Sequence, residues 1–206
     1  GIAASGTVTR IDLTTLQATH SIETGLHPNG LAWHEKSKRL YVANNNSDSI
    51  TVIDTATSSA VDTIRIQPFA ERAPGVAPTA VSVSANGNRL YAACGGINAV
   101  AVFDTSANHK LLGMIPTGWY PNTLSLSTDG KFLAVGSLLG AGSGWRDEPS
   151  KRYVHANRGS VNVVEIPDDA QLARYSLAVS ENNRLPLAGT TVASLPRATQ
   201  PKSVPG

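Results

Sequence analysis

The residues equipped to act as metal ligands, bases or nucleophiles are scattered along this sequence rather than grouped. The five histidines, His20, His27, His34, His109 and His155, show neither the His-x-His nor the His-x-x-x-His spacing that lets two imidazoles share one metal ion. Cys94 follows Tyr91, Ala92 and Ala93, the setting of a small buried hydrophobe rather than of a reactive thiolate. The run Gly140-Ala141-Gly142-Ser143-Gly144 lacks the Gly-x-Ser-x-Gly order of a nucleophile elbow and the Lys-Ser/Thr ending of a phosphate loop, and reads as a spacer. Asp12, Asp54 and Asp104 recur at the ends of similar apolar runs. A carboxylate repeated in that way reads as a turn cap, since a catalytic residue is needed only once. The chain itself is therefore expected to hold no catalytic residue, no metal and no cofactor.

Recognition chemistry is better supplied. Trp119, Tyr120 and Asn122 form one polar aromatic cluster, and Trp145, Arg146, Lys151, Arg152, Tyr153, His155 and Arg158 form another beside Asp147, Glu148 and Asn157. Aromatic groups among mixed charges suit ligand or protein recognition. His27, Asn29 and Arg72 stand in Pro-flanked stretches of the same kind. With 17 Lys and Arg against 15 Asp and Glu, the net charge of +2 offers no field for nucleic acid. No stretch reaches the roughly 18 apolar residues of a membrane span, so membrane insertion is not expected.

The elements that position these residues come from a repeat. The order Pro28-Asn29-Gly30-Leu31-Ala32-Trp33, Arg39-Leu40-Tyr41-Val42-Ala43-Asn44, Ile50-Thr51-Val52-Ile53-Asp54 returns as Pro78-Thr79-Ala80-Val81-Ser82-Val83, Arg89-Leu90-Tyr91-Ala92-Ala93-Cys94, Val100-Ala101-Val102-Phe103-Asp104. A third copy begins at Pro121-Asn122-Thr123-Leu124, passes Lys131-Phe132-Leu133-Ala134-Val135 and ends at Val161-Asn162-Val163-Val164-Glu165. The acidic positions are 42 (Asp12 to Asp54), 50 (Asp54 to Asp104) and 61 (Asp104 to Glu165) residues apart. Short β-branched runs in units of this size predict four-stranded blades of an all-β propeller. Gly87 and Gly130 fall where hairpin turns need positive φ. The expected division is a partial blade of two strands over 6–24, blades over 27–67, 77–117 and 120–166, a helical insertion over 167–183, and a possible last strand with a Pro-rich tail over 184–206. About three to four blades of a partial ring are thus present, with one short helix near the C-terminus.

Strand alternation then orders the loops. If the first strand of each blade descends, the connections between strands two and three share a face with those between blades. That face would gather His27, Asn29, Arg72, Trp119, Tyr120 and Asn122 with the excursion from Leu138 to Arg158.

Leu40-Tyr41-Val42-Ala43-Asn44 followed by Ser49-Ile50-Thr51-Val52-Ile53-Asp54 resembles the signature of the YVTN-repeat propellers, over roughly residues 6 to 166. The resemblance implies a ring of seven blades, completed by the remainder of a propeller or by a second subunit. Gly118-Trp119-Tyr120-Pro121-Asn122, the glycine-rich run, Arg158-Gly159-Ser160-Val161 and the stretch from Pro167 to Asn183 resemble the last blades of exported bacterial proteins whose propeller precedes an alkaline-phosphatase-superfamily phosphoesterase domain. That likeness implies a periplasmic or secreted protein and a possible C-terminal phosphoesterase partner domain, with none of that domain's catalytic motifs on this chain.

Asp168 is placed to cap a helix on which Leu172, Tyr175, Ser176 and Val179 share one face, packed against the last blade. The function expected is a non-catalytic binding or scaffold module. The alternatives are part of a hydrolase, phosphoesterase or lactonase-like, whose catalytic residues lie outside the chain, and a structural spacer.

Overall fold

The structure, a computed structural model, describes residues 5–71, 75–140 and 159–189. β1 (Ser5–Asp12) and β2 (Gln17–Leu26) form a two-stranded sheet. β3 (Pro28–His34), β4 (Arg39–Asn44), β5 (Ser49–Asp54) and β6 (Ser59–Arg65) form a four-stranded meander. β7 (Pro78–Val83), β8 (Arg89–Cys94), β9 (Ala99–Asp104) and β10 (Lys110–Pro116) repeat it, and β11 (Trp119–Leu126), β12 (Phe132–Gly140) and β13 (Ser160–Glu165) give a third sheet. All pairings are antiparallel, and β3, β7 and β11 touch in succession as the inner strands of neighbouring blades. This is the partial all-β propeller that the repeat predicts.

The second and third strands of each blade read as nearly continuous apolar runs because both of their faces are covered. Tyr41, Ala43, Ile50 and Val52 on one blade meet Leu90, Ala92, Ala99, Ala101 and Phe103 on the next in a single cluster. Tyr91, Val100 and Val102, on the opposite face, meet Leu133 and Val135. Gly87 and Gly130 do hold positive φ, at 75° and 70°, in the turns that open the second strands of their blades. β12 runs to Gly140, so Leu138 belongs to the sheet rather than to the excursion after it. Residues 141–158 lie outside the described residues, as does the possible last strand from Thr190 to Leu195.

α1 (Asp169–Asn183) starts where its cap predicts, the Asp168 carboxylate accepting from Gln171 N–H at 2.7 Å. Leu172, Ser176 and Val179 are its buried residues. The helix lies chiefly against β10, the outer strand of the second complete blade, while Leu172 reaches Leu133 and Val135 of the last. Ser176 explains the choice. Its hydroxyl accepts the Met114 N–H at 2.8 Å and donates to the Leu172 carbonyl at 2.8 Å, so a buried amide on the edge of β10 is satisfied by the helix instead of by another strand. Gly113 permits the approach, since a Cβ there would sit 2.6 Å from Ser176 Oγ and 2.7 Å from Leu172 Cγ. Ser176→Ala leaves that N–H without an acceptor. It is expected to cost about 1–3 kcal/mol, measured as a lower urea midpoint at unchanged m-value.

After the helix the chain turns back. Leu187 bridges to Phe69, Ala70 N–H donates to the Pro186 carbonyl at 2.8 Å, and Ala188 N–H donates to the Pro68 carbonyl at 2.9 Å. The chain beyond α1 is thereby tied to the connection between the first and second complete blades.

Candidate functional site

The loop-built face is assembled by one device used repeatedly. His27, Ala77 and Tyr120 each precede a proline at or near the start of an inner strand, and each has left-handed backbone, with φ of 54°, 51° and 56°. That conformation is uncommon for any residue with a Cβ and further restricted before proline. The turns between second and third strands hold it. Asp48 and Asn98 close those turns, themselves left-handed at φ 49° and 53°. Asp48 Oδ1 accepts the Ala77 N–H at 2.8 Å, and Asn98 Oδ1 accepts the Tyr120 N–H at 2.8 Å. Carbonyls are used in the same way, Asn45 N–H donating to His27 at 3.0 Å and Gly95 N–H to Ala77 at 2.9 Å. Backbone strain often marks a functional site. Here its recurrence at equivalent positions makes it part of the blade's construction, and only the side chains differ from blade to blade.

Those hydrogen bonds place both sets of turns on one face, as strand alternation requires. On it His27, Asn29 and Asn122 are exposed, and Trp119 is 48 % exposed. Tyr120 is half-buried, its ring close over Gly95, where a Cβ would meet Cε2 at 3.1 Å. Trp119 pairs with Gly140, so it stands where the chain leaves for the long excursion. Arg72, Trp145, Arg146, Lys151, Arg152, Tyr153, His155 and Arg158 lie outside the described residues. Among the described residues no three His, Cys, Asp or Glu side chains converge on a common point that could hold a metal ion. Cys94 is fully buried and its thiol is pushed up to about 12, desolvation being the main cause.

Sequence reasoning missed Asp48 and Asn98 as the clasps of this face. Their signal was present, an Asp or Asn closing each turn 29 or 22 residues before the residue it holds. It also missed the partners of the repeated aspartates. Asp12 Oδ1 accepts from Thr14 and Thr15 N–H, and Asp54 Oδ1 from Ala56 and Thr57 N–H, as turn caps do. Asp54 also pairs with Arg39 directly across the β4–β5 ladder, and Asp104 with Arg89 at 3.2 Å across β8–β9.

These carboxyls are held below the usual carboxylate range, Asp54 first by the Arg39 guanidinium and Asp104 first by the Ser106 hydroxyl. A folded-state value below the unfolded one means stability present above the unfolded value and lost as pH falls through the folded one. The double variant Asp54→Asn with Asp104→Asn should therefore flatten the fall in thermal midpoint on acidification below about pH 4. A pH series of melting curves beside the parent checks this.

The order of the blades and the clasped turns agree with a family model described as lactonase, 7-bladed β-propeller, which matches residues 6–138, more than half of the 206-residue chain. The chain belongs to this family of seven-bladed propellers. Among solved structures it is similar to Kuenenia stuttgartiensis hydrazine synthase, at 25 % identity and a TM-score of 0.62, over 77 % of this chain and 40 % of that one. It is also similar in fold to the dihydro-heme d1 dehydrogenase NirN in complex with DHE, at 20 % identity and a TM-score of 0.51, over 64 % of this chain and 28 % of that one. The chain thus spans less than half the length of either structure. No curated protein matches it.

Proposed function

We propose that this chain is a non-catalytic blade module whose loop-built face recognises a ligand, a protein partner or an adjoining domain. The observation that carries the reading is the contrast on that face. Its backbone is clasped rigidly by Asp48 and Asn98, while His27, Asn29, Asn122 and Trp119 project from it exposed. Rigid positions with varied side chains are what a recognition surface requires. Apolar groups are also exposed on β3 beside the two-stranded sheet, Leu31 and Trp33, and on β13 of the last sheet, Val161 and Val163. Blades from the rest of a ring, or from a second subunit, are the partners we assign to them. The YVTN likeness, and the resemblance of the distal blades to those that precede a phosphoesterase domain, support a place beside a hydrolytic domain in an exported protein.

A second reading, part of a lactone-opening hydrolase, is favoured by the family match. Both readings place the catalytic residues outside this chain, so the chain alone should be inactive. Small lactones and p-nitrophenyl phosphate, each with added divalent metals, should show no hydrolysis above buffer with this chain. Saturable turnover abolished by His27→Ala would overturn the binding-module reading. A fusion to the phosphoesterase-type domain should lose affinity or rigidity on Trp119→Ala, and an unaffected fusion would remove that face from the contact.

A further inference from the structure

In a repeat protein, positions that keep their chemistry serve the blade, and positions that break it call for another account. Asn44, Cys94 and Ser137 are equivalent, each lying opposite the proline at or near the start of its inner strand. Around Asn44 the register sets Ser49 beside it, Thr51 two positions on, and Arg65 and Thr63 opposite those two on β6. The second complete blade has Ala99, Ala101, Pro116 and Met114 at the same places. The third sheet keeps polar residues at these places, Ser137, Ser160 and Asn162, so the second complete blade is the apolar one.

The gaps between blades differ accordingly. In the gap before the second complete blade, Cys94, Ala99, Ala101 and Met114 are sealed by Ile66, Phe69 and Val179, brought there by the long connection after β6 and by α1. In the preceding gap, only His27 separates β2 from β3, so that connection has nothing to insert. A groove of about 400 Å³ remains, lined by Glu23 and Thr24 from β2 and by Ser49, Thr51, Thr63 and Arg65. Its floor is fully buried. Asn44 donates from Nδ2 to Ser49 Oγ at 3.1 Å and to Thr51 Oγ1 at 2.9 Å, which leaves both hydroxyl protons to be donated elsewhere. Asn44 Oδ1 is buried with no hydrogen-bond partner among the described residues. Glu23 and Arg65 enter no ion pair among the described residues, with each other or with any other group.

We propose that this inter-blade groove binds a small carboxylate bearing a neighbouring hydrogen-bond donor, an α-hydroxy or α-amino acid. Arg65 presents the planar fork that takes a carboxylate. The hydroxyls of Ser49 and Thr51, turned by Asn44 to act as donors, add to it. Glu23 accepts from the ligand's hydroxyl or ammonium. Among the described residues no aromatic ring lines the groove to stack a sugar, and opposite charges facing it disfavour a purely anionic or purely cationic guest. The groove borders the loop-built face at Ser47, in the turn that Asp48 closes, but the proposal does not depend on that face's role.

The test is calorimetric titration of the full chain with L-lactate, L-serine and glycerol at millimolar concentrations. Saturable binding of either acid, weakened by about tenfold or more in Arg65→Gln, is the expected result. Loss of affinity in Glu23→Gln for serine more than for lactate marks the ammonium as the preferred donor. The triple variant Asn44→Cys, Ser49→Ala, Thr51→Ala carries the neighbouring blade's own residues, so it should keep its melting temperature within a few degrees and lose binding. Binding of neither acid, equal binding of glycerol, or unchanged affinity in Arg65→Gln would each overturn the assignment.

Discussion

Phe69→Ala is expected to destabilise the chain by about 3–5 kcal/mol, enough to consume much of a domain's ordinary margin of about 5–15 kcal/mol. Phe69 is 1 % exposed and belongs to the cluster that joins the two complete blades. It lies outside any strand, in the connection after β6, and its backbone bridges to Leu187. Truncation therefore opens a cavity in a gap that no sheet element can close by sliding, because β5, β6, β8 and β9 are fixed by their ladders. The loss should appear twice. Denaturant unfolding should shift as a whole, and amide exchange should accelerate at Ala70 and Ala188, whose N–H groups hold the returning segment. A variant that loses global stability while those two amides stay protected would separate Phe69 from that segment.

Gly30→Val is expected to be as damaging from the opposite cause. An added Cβ at Gly30 would lie 2.7 Å from Ala80 Cα and 3.1 Å from the Thr79 carbonyl oxygen. Both are backbone atoms of β7, the inner strand of the next blade, so no rotamer change relieves the clash. The inner strands must separate, and the gap must widen along its whole height. Overpacking costs about 1–3 kcal/mol and occasionally more, and the backbone origin of this clash places it at the upper end. A shift of that size lowers the thermal midpoint by roughly 6–12 °C in a chain of this length. Gly130→Ala is the control, since a Cβ added there would meet nothing within 4 Å among the described residues and the position differs only in its positive φ of 70°. It should cost less, about 1 kcal/mol. Equal effects at the two sites would mean that inner-strand crowding does not limit how blades pack.

Both substitutions bear on what could be read in advance. The strands and their order were legible because the blade is a local object. Leu40 through Asn44, the turn, and Ile50 through Asp54 form a hairpin whose pairing needs only neighbours in sequence. The cap of α1 was legible for the same reason, Asp168 and Gln171 being three residues apart. The docking of that helix on β10 was not. It depends on Ser176 meeting the Met114 N–H 62 residues away, and nothing near Ser176 names that partner. On the candidate face, His27, Asn29, Trp119, Tyr120 and Asn122 were legible from proline and aromatic placement, whereas Asp48 and Asn98 act across a blade boundary. The polar set around Asn44 was visible as letters, Ser49 and Thr51 against Ala99 and Ala101, and had no meaning until the gap in front of it proved open.

The blade is a product of local chemistry: its strand order, its turns, its capping aspartates and the face on which its loops gather. These follow from alternation, β-branching and turn chemistry acting over a few residues. Which gaps between blades are sealed and which stay open, where α1 lies, and which groups share a groove were settled by packing between distant blades. Those outcomes depend on what side chains from distant blades bring to the same space, and steric fit and hydrogen-bond satisfaction across that distance have no local signature.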